Sequence, residues 1–134
     1  VVLDARDGLT LAHDINAGNL TLRTTNAAIS QTAGQLTVSG NTDANAGTAA
    51  IALTGNNDFQ NAVTLTGGAV QLNDRNALTV GAVNTGALTV TSNGALNLGQ
   101  GTVNGALVAS STSGGITQAG ALSITGTSTL NAGS

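Results

Sequence analysis

The 134-residue chain contains no Cys, Pro, Met, Trp, Tyr, Lys or Glu. Each absence closes a route. Without Cys there are no disulfides and no thiolate metal ligands, so stability must come from backbone pairing and burial. Without Lys, Glu and Met the chain lacks most strong helix formers, and no window shows helical periodicity. A single aromatic residue, Phe59, excludes a stacking platform for bases. Three Arg against six Asp exclude a basic patch for phosphate backbones, so nucleic acid is not an expected partner. No apolar run is long enough for a membrane span or a signal peptide.

What the chain does have is Gly, Thr and Asn, which together fill about two-fifths of it and favour turns and strands. Leu, Ile, Val and Phe make up about 24%, above the level at which a chain reads as disordered. The core is therefore aliphatic and thin.

The central stretch Val63–Leu98 shows how that core is written. It carries five apolar–polar–apolar triplets: Val63-Thr64-Leu65, Val70-Gln71-Leu72, Leu78-Thr79-Val80, Leu88-Thr89-Val90 and Leu96-Asn97-Leu98. A two-residue period is strand geometry, with successive side chains on opposite faces. Apart from Val83, the spacers are small or polar turn residues. Leu65, Leu72, Val80, Val90 and Leu98 are the expected structural core, with Phe59 plugging it at a corner. Outside this stretch the expected strands include Leu9–Leu11, Leu20–Leu22, Ile29–Gln31, Leu36–Val38, Ile51–Leu53, Ile116–Gln118 and Leu122–Ile124, with Ser39–Thr48 as a polar loop.

Self-similarity is the strongest signal. A shift of about 87 residues lays Leu9, Gly18, Leu20, Ile29 and Gln31 on Leu96, Gly105, Leu107, Ile116 and Gln118. After a one-residue gap, Leu36–Gly40 lies on Leu122–Gly126 and Asn45–Gly47 on Asn131–Gly133. Residues 1–47 and 88–133 are thus two copies of one half-unit. A shorter rhythm runs inside it: strand starts at 70, 88 and 107 and at 78 and 96 recur at intervals of roughly 18–19 residues. Such short strands bury nothing alone, whereas stacked coils bury a continuous column. The expected fold is all-β, a parallel β-helix (β-solenoid) of about seven coils of roughly 18–22 residues, on the order of 30 Å long. An antiparallel sandwich is the competing fold, disfavoured by the short uniform triplets and the lack of aromatics. The chain reads as a single segment, 1–134, cut from a longer repeat array.

The runs Gly55–Phe59, Ala62–Gly67, Asp74–Val80, Leu88–Thr91, Gly115–Gln118 and Leu122–Gly133 resemble the repeats of large filamentous haemagglutinin-like exoproteins of Gram-negative bacteria. The resemblance covers nearly the whole chain. It implies a right-handed β-helix shaft, two-partner secretion to the cell surface, and adhesion to host cells, other bacteria or biofilm matrix. That family's secretion domain carries Asn-Pro-Asn-Gly, which a chain without Pro does not contain. None of its binding residues has a matching motif here.

Candidate chemistry is sparse. His13 beside Asp14 reads as a solvated surface pair, since a site needs further ligands and this is the only His. Asp58 and Asp74 read as turn-makers bonding their own backbone, because Gly67-Gly68 precedes Asp74 at the wrong spacing for a calcium-binding solenoid turn. Gly99–Gly105 lacks the following helix a phosphate cradle needs and reads as a turn. Asn19-Leu20-Thr21 fits a glycosylation triplet, but Leu20 reads as core. Outward Thr residues at 10, 21, 37, 64, 79, 89 and 117 would form ladders if they aligned. These features lead to a non-enzymatic, cofactor-free shaft, and the resemblance implies that it is adhesive. Its expected partners are neighbouring repeats, a host glycan or protein receptor, and like chains stacked end to end. The alternatives are an ice- or lattice-binding Thr-rich solenoid and a β-helical autotransporter passenger segment. A pectin-cleaving β-helix enzyme would need clustered acids with a Lys or Arg base.

Overall fold

A computed structural model describes residues 1–133 and contains strands, turns and bends but no helix. The first coil carries β1 (Val2–Ala5), β2 (Leu9–Leu11) and β3 (Ile15–Ala17), and the second β4 (Leu20–Thr24), β5 (Ile29–Gln31) and β6 (Leu36–Val38). The third carries β7 (Thr42–Asn45), β8 (Ile51–Leu53) and β9 (Asp58–Phe59), and the fourth β10 (Val63–Gly67), β11 (Val70–Asp74) and the start of β12 (Leu78–Thr85). β12 continues into the fifth coil, which adds β13 (Leu88–Ser92) and β14 (Leu96–Asn97). The sixth carries β15 (Gln100–Val103), β16 (Leu107–Ser111) and β17 (Ile116–Thr117), followed by β18 (Leu122–Ile124) and β19 (Ser128–Ala132).

Every strand pairs in parallel with strands of the adjacent coils, so the chain is a β-solenoid of about seven turns with three faces. The first face stacks β1, β4, β7, β10, the second half of β12, β15 and β18. The second face is the unbroken order β2, β5, β8, β11, β13, β16, β19. The third stacks β3, β6 and β9, then separately the first half of β12, β14 and β17. The short strands follow from the triplets, whose apolar ends face the axis. Aliphatic side chains stack coil upon coil, as in the file Leu9, Ile29, Ile51, Val70, Leu88, Leu107 on the second face. The structure places Leu65, Leu72, Val80, Val90, Leu98 and Phe59 in this single buried cluster, along with Val83.

Coil length is not uniform. The rungs Leu20–Thr42 and Thr42–Val63 close wide coils. The rungs Val63–Val80 and Val70–Leu88 close coils shorter by about four residues. The narrow turn arises because β12 runs straight through the corner between the third and first faces, with a register shift against β10. Farther along, Gly101 pairs with Leu122, and the coil is wide again.

Two segments differ from the sequence reading. The polar stretch Ser39–Thr48 is not all loop, since it holds β7, with Thr42 and Ala44 facing the core. Gly99–Gly105 is not a simple turn, since Gln100–Val103 is β15. There the φ of Gly101 is +132°, and a Cβ would collide with the carbonyl oxygen of Val83 below it. Only Gly lets the first face pass that rung.

Candidate functional site

Most of the buried polar residues, Asn57, Asp58, Asp74, Ser92 and Ser111, gather along one corner, between the second and third faces. The sequence supplies them because each coil turns here through Asn, Asp, Gln, Ser and Gly. Their backbones need partners wherever the strand ladder stops. Asp14 Oδ1 accepts from the Gln35 amide at 2.9 Å. One coil on, Gln31 and the fully buried Asn57 form a reciprocal amide pair: Gln31 Nε2 donates to Asn57 Oδ1 at 2.8 Å, and Asn57 Nδ2 donates to Gln31 Oε1 at 2.9 Å. Asn57 Oδ1 also accepts from the Leu36 amide, and Gln31 Oε1 from the Gly55 amide.

The seam is densest where the third-face ladder breaks, between β9 and β12. Phe59 there has no strand to receive its amide. Asp74 supplies the acceptor: Oδ2 takes the Phe59 amide at 2.8 Å, and Oδ1 takes the Asn76 amide at 2.7 Å. Burial pushes the Asp74 carboxyl above the ordinary range, outweighing those two amides. Beside it, Arg75 donates to Asp58 Oδ2 at 2.9 Å and to Gln35 Oε1 at 3.3 Å. That guanidinium holds the Asp58 carboxyl below its ordinary range. Farther along the same corner, Asp74 gives way to Ser92 and then Ser111. Their buried hydroxyls donate to turn carbonyls, Ser92 to Asn76 O at 2.7 Å and Ser111 to Gly94 O at 2.8 Å.

Chemically this corner is stitching. Asp74 behaves as the turn reading expects and also bonds across to Phe59. Asp58 does not: it pairs with Arg75 and Gln60 rather than with its own backbone. Both carboxylates, the guanidinium and both amides are committed to protein partners. A shallow groove of about 290 Å³ runs beside them, lined by Thr54, Asn56, Asn73 and Thr91 among others. Among the described residues no group of three or more His, Cys, Asp or Glu is placed to hold a metal. His13 and Asp14 sit exposed at the same corner of the first coil. Asn19 is exposed and its Oδ1 accepts from the Asn41 amide, while Leu20 is buried. The seam was not legible as a unit, because nothing in a turn sequence says which polar side chain points inward. The one signal available was a pair of adjacent polar residues in neighbouring coils, Asn57-Asp58 and Asp74-Arg75.

The outward surface gives the second candidate. The second-face file reads Thr10, Ser30, Ala52, Gln71, Thr89, Val108, Thr129. A first-face file reads Asp4, Arg23, Asn45, Thr66, Asn84, Thr102, Ser123. On the third face Thr37 lies between Asn16 and Asp58, and Asn97 between Thr79 and Thr117. Among the described residues no rung of any paired ladder sets Thr against Thr. A lattice-matching Thr rank therefore does not form. Charge is sparse, with one exposed ion pair among the described residues, Arg23 Nη2 to Asp43 Oδ2 at 3.3 Å. No helix of the described chain is long and apolar enough to cross a membrane.

A family model described as repeats of unknown function (DUF5649) matches residues 1–66, 67–97 and 85–134. No curated protein and no solved structure matches the chain.

Proposed function

The chain belongs to the DUF5649 family of repeats of unknown function, and we propose that it serves as a shaft segment of a secreted bacterial surface adhesin. The observation that carries this reading is the unbroken second-face ladder from β2 to β19, on which every coil is held by the next. A stack of this kind transmits position and tension along its axis, because each added coil extends it by about 4.8 Å and contacts only its neighbours. The mixed Thr/Asn surface and the sealed polar corner support the same reading. The first suits weak, extended contacts with glycans or matrix, and the second spends the ionisable groups on holding coils together. On this reading the segment catalyses nothing.

The test uses the protein on the cells that make it. Residues 88–106 form one full turn, from Leu88 to the residue before its rung partner Leu107. Their in-frame removal joins Ala87 to Leu107, so the corner is rebuilt from like residues. The expected outcome is a folded, exported protein about 4.8 Å shorter, with surface attachment retained. A protein confined to the cell interior, or normal attachment by cells lacking it, overturns the adhesin reading.

A further inference from the structure

The tetrapeptide Asn-Gly-Ala-Leu occurs twice, as Asn93–Leu96 and as Asn104–Leu107. Both copies are corners leading into a strand. Both show the same run of exposed Asn, half-buried Gly, exposed Ala and buried Leu. An Asn-Gly step is the one most prone to intramolecular imide formation, because Gly places no side chain in the path of its own amide nitrogen. Sequence alone makes the two copies equally reactive.

Their peptide groups differ. The Asn93–Gly94 peptide is held on both sides: the Gly94 amide donates to Asn76 O at 2.9 Å, and the Asn93 carbonyl accepts from the Ser113 amide at 3.1 Å and from Ser113 Oγ at 2.7 Å. Among the described residues the Asn104–Gly105 peptide has no hydrogen bond at either the Gly105 amide or the Asn104 carbonyl. Attack needs that amide nitrogen free, deprotonated and able to swing toward the side chain. A bonded peptide must open first.

We propose that Asn104 is a spontaneous modification site, and that Asn93 is protected by its hydrogen bonds. The Gly105 nitrogen loses its proton and attacks Asn104 Cγ. A C–N bond forms, the bond to the side-chain nitrogen breaks, and ammonia leaves with the proton. The five-membered imide is then opened by water at either carbonyl. Opening at the backbone carbonyl gives isoaspartate, and opening at the side-chain carbonyl gives aspartate. Nothing is oxidised or reduced, and water is the only co-reactant. The product carries a new negative charge in the groove that Asn104 shares with Thr66, Asn84 and Thr48, whose lining holds no charged residue. The isoaspartate form also adds a methylene to the backbone between β15 and β16.

The test is peptide mapping of the intact protein after incubation at mildly alkaline pH, with fragmentation that separates aspartate from isoaspartate. In the folded protein, conversion at Asn104 should exceed that at Asn93 on the order of 10- to 100-fold, since three bonds guard Asn93. In denaturant the two should react at similar rates, because the tetrapeptides are identical. Equal conversion in the folded protein overturns the proposal, as does faster conversion at Asn93. So does an Asn104 that stays intact when folded yet reacts in denaturant. A Ser113→Ala variant, which removes one of the three bonds, should raise the rate at Asn93 and leave Asn104 unchanged.

Discussion

Leu9, Leu20 and Ile29 in residues 1–47 correspond to Leu96, Leu107 and Ile116 in residues 88–133. The solenoid does not put corresponding residues on corresponding faces. Leu9 lies on the second face and Leu96 on the third, Leu20 on the first and Leu107 on the second, Ile29 on the second and Ile116 on the third. Leu36 and Leu122 continue the pattern, from third face to first. One copy is thus displaced from the other by four coils and one further face. The sequence pattern specifies strand, corner, strand, and any face accepts it, because all three offer the same inward aliphatic column. What a residue contributes is then set by its neighbours in the stack rather than by its place in the pattern.

The comparison breaks most sharply in the core. Ile29 is fully buried between Leu9 and Ile51 on adjacent coils. Among the described residues Ile116, its counterpart, pairs with Leu96 alone and is half-buried. In the 134-residue chain by itself, Ile29→Ala should cost about 2–5 kcal/mol of unfolding free energy, and Ile116→Ala about half of that. For Leu9 and Leu96 the order should invert. Leu96 is sandwiched between Leu78 and Ile116, whereas among the described residues Leu9 pairs with Ile29 alone. Denaturant unfolding of the four variants checks both halves. Equal losses within either pair would mean that position in the pattern, not in the stack, sets the contribution.

The same contrast explains what could be read before any coordinates. Triplets such as Leu20-Thr21-Leu22 and Val70-Gln71-Leu72 announce strands, because two large aliphatic residues flank one polar residue. Their spacing announces coils. β7 stayed hidden because its inward residues are Thr42 and Ala44, so nothing in Thr42–Asn45 looks apolar. It was recoverable only from its place, midway in spacing between Leu20 and Val63, which pair with Thr42 on either side. β15 stayed hidden because Gly101 occupies an inward rung. The face of each strand was also out of reach, since a residue count does not register corners, and β12 skips one.

A second contrast lies in the seam. Gln31 and Gln118 correspond, and each closes a local turn, Gln31 onto Gly34 O at 3.0 Å and Gln118 onto Gly120 O at 2.7 Å. Among the described residues Gln31 alone also meets a buried partner from the next coil, Asn57. Gln31→Ala strands that amide without its reciprocal bonds and should cost about 1–3 kcal/mol. Gln118→Ala acts on an exposed residue and should stay within about 0.5 kcal/mol of the parent. Asn57→Leu made with Gln31→Leu should cost more than Gln31→Ala alone, since the buried Leu36 amide would then lose its acceptor as well.

The smallest effect carries the opposite sign. Thr42 and Ser128 correspond in the part of the repeat that follows the one-residue gap. Thr42 faces the core between Leu20 and Val63, and its Oγ1 is buried without a hydrogen-bond partner. Ser128 is exposed on β19. A hydroxyl in the core with no acceptor loses its hydration and gains nothing in exchange. Thr42→Val keeps the branched shape and removes only that oxygen, so it should raise stability by about 1 kcal/mol. Ser128→Val should leave stability within about 0.5 kcal/mol, because its hydroxyl keeps its water. Thermal unfolding of the two variants side by side measures the difference. A destabilised Thr42→Val protein would mean that the oxygen is bonded in solution, and that the rung from Leu20 to Val63 is built around a polar contact rather than around a flaw.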